Sequence, residues 1–326
     1  MLARVALDSS SLALLEPEDP AAQEARHKEL LMMLLAHGSL LFAHDQDRQE
    51  FLREIEQLPE AIRILWTTAL ERLPWTVASR RIEYSLAAVI DGQHDLATSW
   101  NGDINVALAE RLRAKGLGLP SHCAAILDSS GIELVRMEGI HASQRFTRLL
   151  ELAQQAIRKG EDREAVWRER LGPVAQQSRS ATIVDRYVMH RHRARSQGGE
   201  ESGLAWLLSR LGESGVRHVH LFCRSNRKAE AFRELFGLRG VLAHTPASLS
   251  VTFVPDRVFQ SASHSRHIRF DYWVFSLDKG IDLFADQLMG QESPSQFGDI
   301  QAARSRERDL EHQAPPENVR LRVWPA

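Results

Sequence analysis

His264 and Arg266 stand two residues apart, and Asp271 follows them in the spacing H-x-R-x4-D. Apolar and polar residues then alternate up to a turn at Gly280, which predicts a β-hairpin. Positions i and i+2 of a strand face the same side, so we expect His264 and Arg266 to project together. A guanidinium can bind phosphate through paired hydrogen bonds, and an imidazole can attack phosphorus or transfer a proton. The spacing therefore predicts a phosphate site on this hairpin.

Charged residues elsewhere in the second half could complete such a site. The basic run 190–195, HRHRAR, follows a predicted strand at Ala181–Met189 that contains Asp185. Two interpretations of the run stay open: a solvated surface, or a rim whose arginines neutralise phosphates. The candidate phosphate-site residues are Arg266, Lys279, Asp185, Arg191 and Arg193.

The H-x-R-x4-D spacing resembles the H-x-K-x4-D signature of the phospholipase D superfamily, with Arg266 in the place of the lysine. The stretch from His264 to Gly280-Ile281-Asp282-Leu283-Phe284, together with 182–188 upstream (TIVDRYV), is similar to the phospholipase D-like domain found C-terminal to eukaryotic MIT domains. The resemblance covers residues 180 to 290. It implies a phospholipase D-like fold, with His264 as the nucleophile on phosphorus and Arg266 as the phosphate ligand.

Only one copy of the motif is present in this chain. Catalytic members of the superfamily combine two copies, within one chain or across a dimer, whereas the MIT-linked relatives bind phospholipid head groups without cleaving them. The resemblance thus implies either a binding domain or an enzyme that is active as a homodimer.

In the first half, three aspartates stand at the ends of predicted elements. Asp8 follows a strand at Ala3–Leu7, Asp103 precedes a run predicted to start a helix, and Asp128 follows a strand at Cys123–Leu127. Carboxylates are suitable ligands for Mg²⁺ or Mn²⁺, and two such ions could activate a water for phosphodiester hydrolysis. We expect the three aspartates to converge within metal-bridging distance.

The helix predicted to begin at Asp45 could supply a fourth acid, either Glu50 or Glu54, and Asp91 and Asp95 are alternatives for the later acids. Ordinary roles as helix caps and turn residues are open for the same aspartates. The layout resembles a PIN domain, a nuclease fold of this size. That resemblance implies catalytic and metal-binding roles for Asp8, Asp103 and Asp128, with Glu50 as a further metal ligand.

The predicted elements of the first half alternate as β-α-β-α-α-β-α-β, with the third strand at Ser85–Ile90, which indicates an α/β domain with a largely parallel sheet. The second half has the order β-α-β-α-β-β, with its second helix at Lys228–Phe236, and right-handed crossovers make its first strands parallel. We place the boundary near 160, between a PIN-like domain at 1–160 and a phospholipase D-like domain at 161–326. The polar stretch 291–318 predicts an inserted mobile loop with a short charged helix, before an edge strand at Val319–Trp324.

The composition sets the broad class. The 326 residues are 43% hydrophobic, which supports packed cores, and a net charge of −2 leaves any nucleic-acid surface local. Cys123 and Cys223 lie far apart in apolar runs, which indicates buried reduced thiols in a cytoplasmic protein. No apolar run reaches the length of a membrane span, and the beginning of the chain lacks the pattern of a signal peptide.

Three functional hypotheses follow. The first is a nucleic-acid-acting protein, with metal-dependent cutting in the first half and phosphate binding in the second, which would suit a bacterial defence or toxin-type system. The second is a metal-free phosphodiesterase with His264 as nucleophile. The third is a non-catalytic scaffold for a partner protein, nucleic acid or anionic lipid.

Overall fold

A computed structural model describes residues 2–13, 19–78, 82–92, 94–100, 102–224, 248–261, 266–314 and 319–321. The chain divides into two compact units, Leu2–Glu151 and Leu152–Ala326. Both units are mixed α/β structures, so the α/β part of the predicted fold class is confirmed. The boundary expected near 160 falls beyond this division, because Ile157 and Asp162 form β-bridges with Ser293 and Leu288 of the second unit.

The first unit is built on a six-stranded sheet with the order β3-β2-β1-β4-β6-β5. Its strands are β1 Ala3–Leu7, β2 Gly38–Phe42, β3 Trp75–Val77, β4 Val106–Ala109, β5 Ala125–Leu127 and β6 Glu133–Arg136. The first four strands and β6 run parallel, whereas β5 is antiparallel to β6. Val5 and Leu108 belong to one apolar core, and Ala6 and Ala107 belong to another. The central strands are therefore buried on both faces, as parallel sheets require.

The helices of this unit cover the sheet. They are α1 Pro20–His37, α2 Asp45–Gln57, α3 Glu60–Leu70, α4 Leu86–Ile90, α5 Leu96–Trp100, α6 Arg111–Ala114 and α7 Gln144–Gln154, with 3₁₀ turns at Ser9–Leu12, Lys115–Leu117 and Met137–Ala142.

Two element predictions in this unit were wrong. The strand predicted at Ser85–Ile90 is helix α4, whose first turn is capped because the Ser85 hydroxyl accepts a hydrogen bond from the Ala88 N–H at 3.2 Å. The helix predicted to follow Asp103 is strand β4. A short apolar run suits a buried strand as well as a buried helix, and here it fills the centre of the sheet.

The second unit contains a seven-stranded sheet with the order β12-β11-β10-β7-β8-β9-β13. Its strands are β7 Ser180–Val184, β8 His218–Arg224, β9 Ser248–Val254, β10 His267–Phe270, β11 Val274–Leu277, β12 Ser295–Gly298 and β13 Val319–Leu321. Strands β7, β8 and β9 are parallel, and β10 and β11 form the predicted hairpin. The described part of the predicted edge strand pairs antiparallel with β9.

The helices of the second unit lie between these strands. They are α8 Arg163–Val166, α9 Gly172–Ala175, α10 Val188–Gln197, α11 Gly203–Glu213, α12 Asp256–Ser261 and α13 Ile300–His312, with a π-helical turn at Trp167–Leu171 and a 3₁₀ turn at Ile281–Phe284. The helix predicted at Lys228–Phe236 lies outside the described residues.

Of the mobile loop with a short charged helix predicted for 291–318, the helix is confirmed as α13, whereas the described residues around it are not a loop apart from the sheet. Strand β12 extends the sheet, and α13 buries Ile300, Ala303 and Leu310. The buried Glu307 accepts hydrogen bonds from Arg269 at 2.6–2.9 Å and lies 3.1 Å from Nε2 of His267. Burial alone would raise the pKa of Glu307, but the bonds to His267 and Arg269 outweigh it and lower the pKa.

None of the helices in the described part of the chain is long and apolar enough to span a membrane. Both cysteines are free. Cys223 is buried as predicted, whereas Cys123 is only half-buried, because it lies at the surface-exposed approach to edge strand β5.

Glu133 on β6 holds the start of α7. Its carboxylate, 2% exposed, accepts hydrogen bonds from the Ser143 hydroxyl at 2.5 Å and from the N–H groups of Gln144 and Arg145 at 2.6 and 3.0 Å. It thereby satisfies N–H groups that a helix leaves unpaired in its first turn.

We expect Glu133→Ala to lower the free energy of unfolding of the first unit by about 1–3 kcal/mol, because buried N–H groups lose their acceptor. Chemical denaturation measures this loss. Glu151→Ala, at an exposed position of the same helix, should cost under about 0.5 kcal/mol. Equal effects of the two changes would contradict the capping role.

Glu307 makes the stability of the second unit pH-dependent. Its folded pKa lies below the ordinary value of 4.5, so its stabilisation is fully present above that pH and is lost as the pH falls through the lowered pKa. We expect wild type to lose more stability than Glu307→Gln between about pH 5 and pH 3. Denaturant titrations across this range measure the difference, with Glu311→Gln on the exposed side of α13 as control. Parallel pH curves for wild type and Glu307→Gln would refute the expectation.

Candidate phosphate-binding site

Asp8 lies at the carboxyl end of β1, beside the point where the strand order of the first sheet reverses. Open α/β sheets bind ligands at such points. However, the side chain is only 1% exposed. Its carboxylate accepts hydrogen bonds from the Ser10 and Ser11 hydroxyls and from Nε of Arg113 at 2.5 Å. Arg113 also lies 3.4 Å from Asp91, so one guanidinium is shared by two carboxylates.

Asp103 and Asp128 lie at the other edge of this sheet, so the predicted convergence on Asp8 is wrong. Strand β4 runs parallel to β1, with Leu7 opposite Leu108; Asp103 precedes β4, whereas Asp8 follows β1. At about 3.3 Å per residue, the length of the strands separates the two edges by roughly 15–20 Å. Asp128 sits in the β5–β6 turn, where it accepts hydrogen bonds from Ser130 and the Ile132 N–H. This is the ordinary turn role that the sequence left open.

Of the predicted metal ligands, Glu50 does lie near Asp8. Both line a cavity of about 30 Å³, together with Asp47 and Trp100. The buried indole N–H of Trp100 has no partner among the described residues, so this cavity is lined by a hydrogen-bond donor as well as by carboxylates. Mg²⁺ demands octahedral oxygen ligands at 2.0–2.1 Å. The described residues contain no group of three or more acidic, His or Cys side chains that could hold a metal, so they do not fit such a centre.

Asp185 directly follows β7 in the second unit and is 0% exposed. Its carboxylate accepts hydrogen bonds from the N–H groups of Tyr187 and Ile281, both at 2.9 Å, and lies 3.9 Å from Nε of Arg266. Burial raises the pKa of Asp185, against the opposing effects of these two N–H groups, Arg266 and Arg191. The role of Asp185 in a phosphate site stays a prediction; in the structure its two oxygens join the end of β7 to the turn after β11.

Arg266 lies just before β10, at the same edge of the sheet as Asp185. Its guanidinium donates to the backbone oxygen of Asp278, and its side chain is 20% exposed. Asp271, the last residue of the motif, accepts hydrogen bonds from Ser180 and from the Arg179 N–H at the far end of β10. The aspartate of the motif thus connects the end of β10 to the start of β7. His264 lies outside the described residues, so its pairing with Arg266 stays a prediction.

The basic run forms most of α10, because strand β7 ends earlier than predicted, at Val184. Arg191 donates to the backbone oxygen of Lys279 at 3.2 Å and lies 3.7 Å from Asp282. Residues two apart on a helix do not share a face. Arg193 is accordingly exposed and makes no contact with the other candidates among the described residues. Lys279 is at the edge as predicted.

Sequence reasoning missed the aromatic centre of this edge. Four guanidinium groups lie within 6.0 Å of the centroid of the half-buried Tyr187 ring. They belong to Arg224 at 4.5 Å, Arg186 at 4.9 Å, Arg266 at 5.9 Å and Arg191 at 6.0 Å. A cation near an aromatic face is attracted by the ring quadrupole, so Tyr187 helps to gather charges that repel one another. These four side chains and Tyr187 are called the arginine cluster below.

The arginines of the cluster fall into two pairs. Arg186 and Arg224 donate to Asp256 at 2.6–3.2 Å, and the hydrogen bonds from Arg186 above all lower the pKa of Asp256. Arg266 and Arg191 donate to backbone oxygens instead, and the carboxylates paired with them lie at 3.9 and 3.7 Å, beyond hydrogen-bond length. This second pair therefore keeps charge and donor groups that can bind an anion.

Comparison with protein-family models gives no match for this chain, and comparison with curated proteins gives no significant similarity.

Gly280 allows the turn after β11 to approach Asp185 closely. It adopts φ 74° and ψ −167°, a conformation that favours glycine. A Cβ there would lie 2.7 Å from Cδ of Arg266, and closer still to Oδ2 of Asp185.

We expect Gly280→Ala to destabilise the second unit by about 2 kcal/mol or more, because backbone strain and a steric clash add. Thermal and denaturant unfolding measure the loss. Two control variants separate these causes. Gly199 has φ 75° with open space around it, so Gly199→Ala reports strain alone; Gly290 has neither feature. A loss in Gly280→Ala no larger than in Gly199→Ala would contradict the clash.

Proposed function

We propose that the protein acts on nucleic acid and that its second unit binds the phosphate backbone at the arginine cluster. The observation that carries the proposal concerns Arg266 and Arg191. They are two of the four guanidinium groups of the arginine cluster, yet they donate to backbone oxygens. Guanidinium groups are the preferred bidentate partners of phosphate. Since the whole chain has a net charge of −2, this local positive charge supports a specific site rather than general attraction.

The side chains have distinct roles in this proposal. Arg266 and Arg191 are 20% and 34% exposed, so a ligand can reach them from solvent, and they serve as the phosphate ligands. Lys279 adds a further cation at the same edge. Asp185 and Tyr187 act as positioning residues. A phosphodiester chain carries a charge on every nucleotide and can follow such an edge, which favours nucleic acid over a single small anion.

The fold supports the two family resemblances to different degrees. In the second unit, the parallel β7–β9 strands and the bond from Asp185 to the Gly280-Ile281 segment favour a phospholipase D-like domain. In the first unit, the position of Asp8 after the central β1 favours a PIN-like domain. The ion pair of Asp8 with Arg113 speaks against a working metal centre there.

We therefore propose binding rather than cleavage as the main activity. Cutting with Mg²⁺ or Mn²⁺ would need Asp8 free to hold a metal, whereas Asp8 is paired with Arg113. Metal-free cutting by His264 would need a second motif, as in a homodimer. Neither route has the support that phosphate binding has.

We expect Arg266→Gln and Arg191→Gln each to weaken the binding of a labelled single-stranded oligonucleotide by about ten-fold or more, because each removes a charge-assisted contact. Each change should also reduce the slope of log K against log salt by about 1. Fluorescence anisotropy between about 50 and 200 mM salt measures both effects. Arg168→Gln is the matched control, since Arg168 is exposed on the π-helical turn of the same unit.

Thermal unfolding of each variant first separates lost binding from lost folding. Equal weakening by all three substitutions would point to general electrostatics and contradict the site. Failure of wild type to bind any single- or double-stranded DNA or RNA would overturn the proposal in favour of a protein or lipid partner. The same oligonucleotides incubated with Mn²⁺, Mg²⁺ or EDTA test cutting: cleavage by wild type that is lost in Asp8→Ala would assign nuclease activity to the first unit.

A further inference from the structure

A separate polar groove lies in the second unit, between α13 and the sheet at β8 and β10. Its volume is about 480 Å³, within the range of small-molecule sites. It shares no residue with the arginine cluster. The side chains that matter for its chemistry are Arg269, Arg304, Arg308, Glu307, His220 and Phe222.

The groove exists because α13 is anchored along one side only. Ile300, Ala303, Glu307 and Leu310 recur at helical spacing and are buried. Arg304 and Arg308 lie on the flank of this buried stripe, next to the groove, and both are exposed. The helix therefore forms one wall, with its arginines at the opening.

The charges of this wall are not balanced locally. Arg304 and Arg308 are four residues apart, a spacing at which like charges destabilise a helix. Among the described residues their hydrogen bonds go to backbone oxygens, from Arg304 to Asp271 at 3.3 Å and from Arg308 to Arg304 at 3.4 Å. Neither has a carboxylate within ion-pair distance in the described part of the chain. An anion between them would relieve this repulsion.

Two acids lie on the same wall, Glu307 and the exposed Glu311, and Glu311 forms no ion pair with either arginine among the described residues. Glu307 is held by His267 and by Arg269, which donates to both of its carboxylate oxygens. Arg269 is also bonded to the Thr182 hydroxyl at 2.7 Å. The Glu307 charge is thus neutralised on the sheet side of the helix, away from the exposed arginines.

The imidazole ring of His220 lies at the floor of the groove. His220 on β8 stacks on Phe222 with 4.3 Å between centroids and 29° between planes. Its Nε2 lies 2.8 Å from the Thr252 hydroxyl, which fixes the ring orientation. His220 is half-buried, so part of its ring faces the groove, while Phe222 supports it from below at 1% exposed.

We propose that this groove binds the phosphate monoester of a nucleotide-sized molecule, with Arg304 and Arg308 as the phosphate ligands and His220 beneath the organic part. Two adjacent guanidiniums match the geometry and charge of a terminal phosphate. The volume leaves room for a sugar or base beyond it. The proposal is independent of nucleic-acid binding at the arginine cluster.

Isothermal titration of the full chain with adenosine monophosphate, ribose 5-phosphate, inorganic phosphate and adenosine tests the groove. We expect both phosphate esters to bind and adenosine not to bind. Arg304→Gln and Arg308→Gln should each weaken adenosine monophosphate binding by about ten-fold, and the double variant by about a hundred-fold. Arg306→Gln, at an exposed position of α13 outside the groove, should leave binding unchanged. Arg266→Gln should also retain it, which separates this site from the arginine cluster.

Each other outcome overturns the proposal. Adenosine binding as tightly as its phosphate would show that the phosphate is not recognised. Phosphate-ester binding that survives the double variant, or that Arg306→Gln weakens equally, would place the ligand elsewhere. Absence of heat at millimolar ligand would show that no such site exists. The single variants keep the test valid if the double variant unfolds, because Arg308 contacts only its own helix backbone among the described residues.

Discussion

The second unit depends on one buried carboxylate. Asp185 has no exposed surface, and its two oxygens accept N–H groups from Tyr187 in its own turn and from Ile281, which lies almost a hundred residues further along the chain. The first bond fixes the backbone at Tyr187, and the second starts the 3₁₀ turn after β11. A carboxylate buried in this way is costly unless its partners are fixed, so the bonds constrain both segments together. The arginine cluster lies around Tyr187.

The two units differ in the partners of the charged side chains at the carboxyl edge of their sheets. In the first unit, the Asp8 carboxylate is hydrogen-bonded to hydroxyl groups and to Arg113, so its negative charge is compensated within the protein. In the second unit, Arg266 and Arg191 are held by backbone oxygens, which orient a guanidinium without cancelling its charge. A carbonyl is a neutral acceptor, and the carboxylates nearest to these two arginines lie 3.9 and 3.7 Å away, so neither guanidinium is hydrogen-bonded to a carboxylate. The proposed anion site therefore lies in the second unit.

Much of the fold could be predicted from local patterns in the sequence, whereas only part of the candidate site could be. Strands β1 and β2, the hairpin and the parallel β7–β9 could be predicted, because alternation and crossover handedness are visible in the sequence. The closeness of Arg266, Lys279 and Asp185 was suggested by motif spacing. Arg224 could not be found this way, because it meets Tyr187 only through the lateral alignment of β7 and β8. Asp103 was misplaced for a related reason: an apolar run that could be helix or strand decides at which edge an aspartate lies. Helix α13 was predicted as a short charged helix, but its packing on the sheet was missed because a charged residue, Glu307, occupies a core position.

The arginine cluster has a consequence for how the protein reaches its working state. Its members come from the turn after β7, from α10, from the end of β8 and from the start of β10. Contacts between segments so distant in sequence form late, because loop closure costs entropy before the contact repays it. A chain that has formed its helices and hairpin but has not aligned β7 with β8 and β10 has no assembled anion site. Phosphate binding, as proposed for this cluster, should therefore lag behind the recovery of secondary structure during refolding, and it would report the completed sheet rather than its parts.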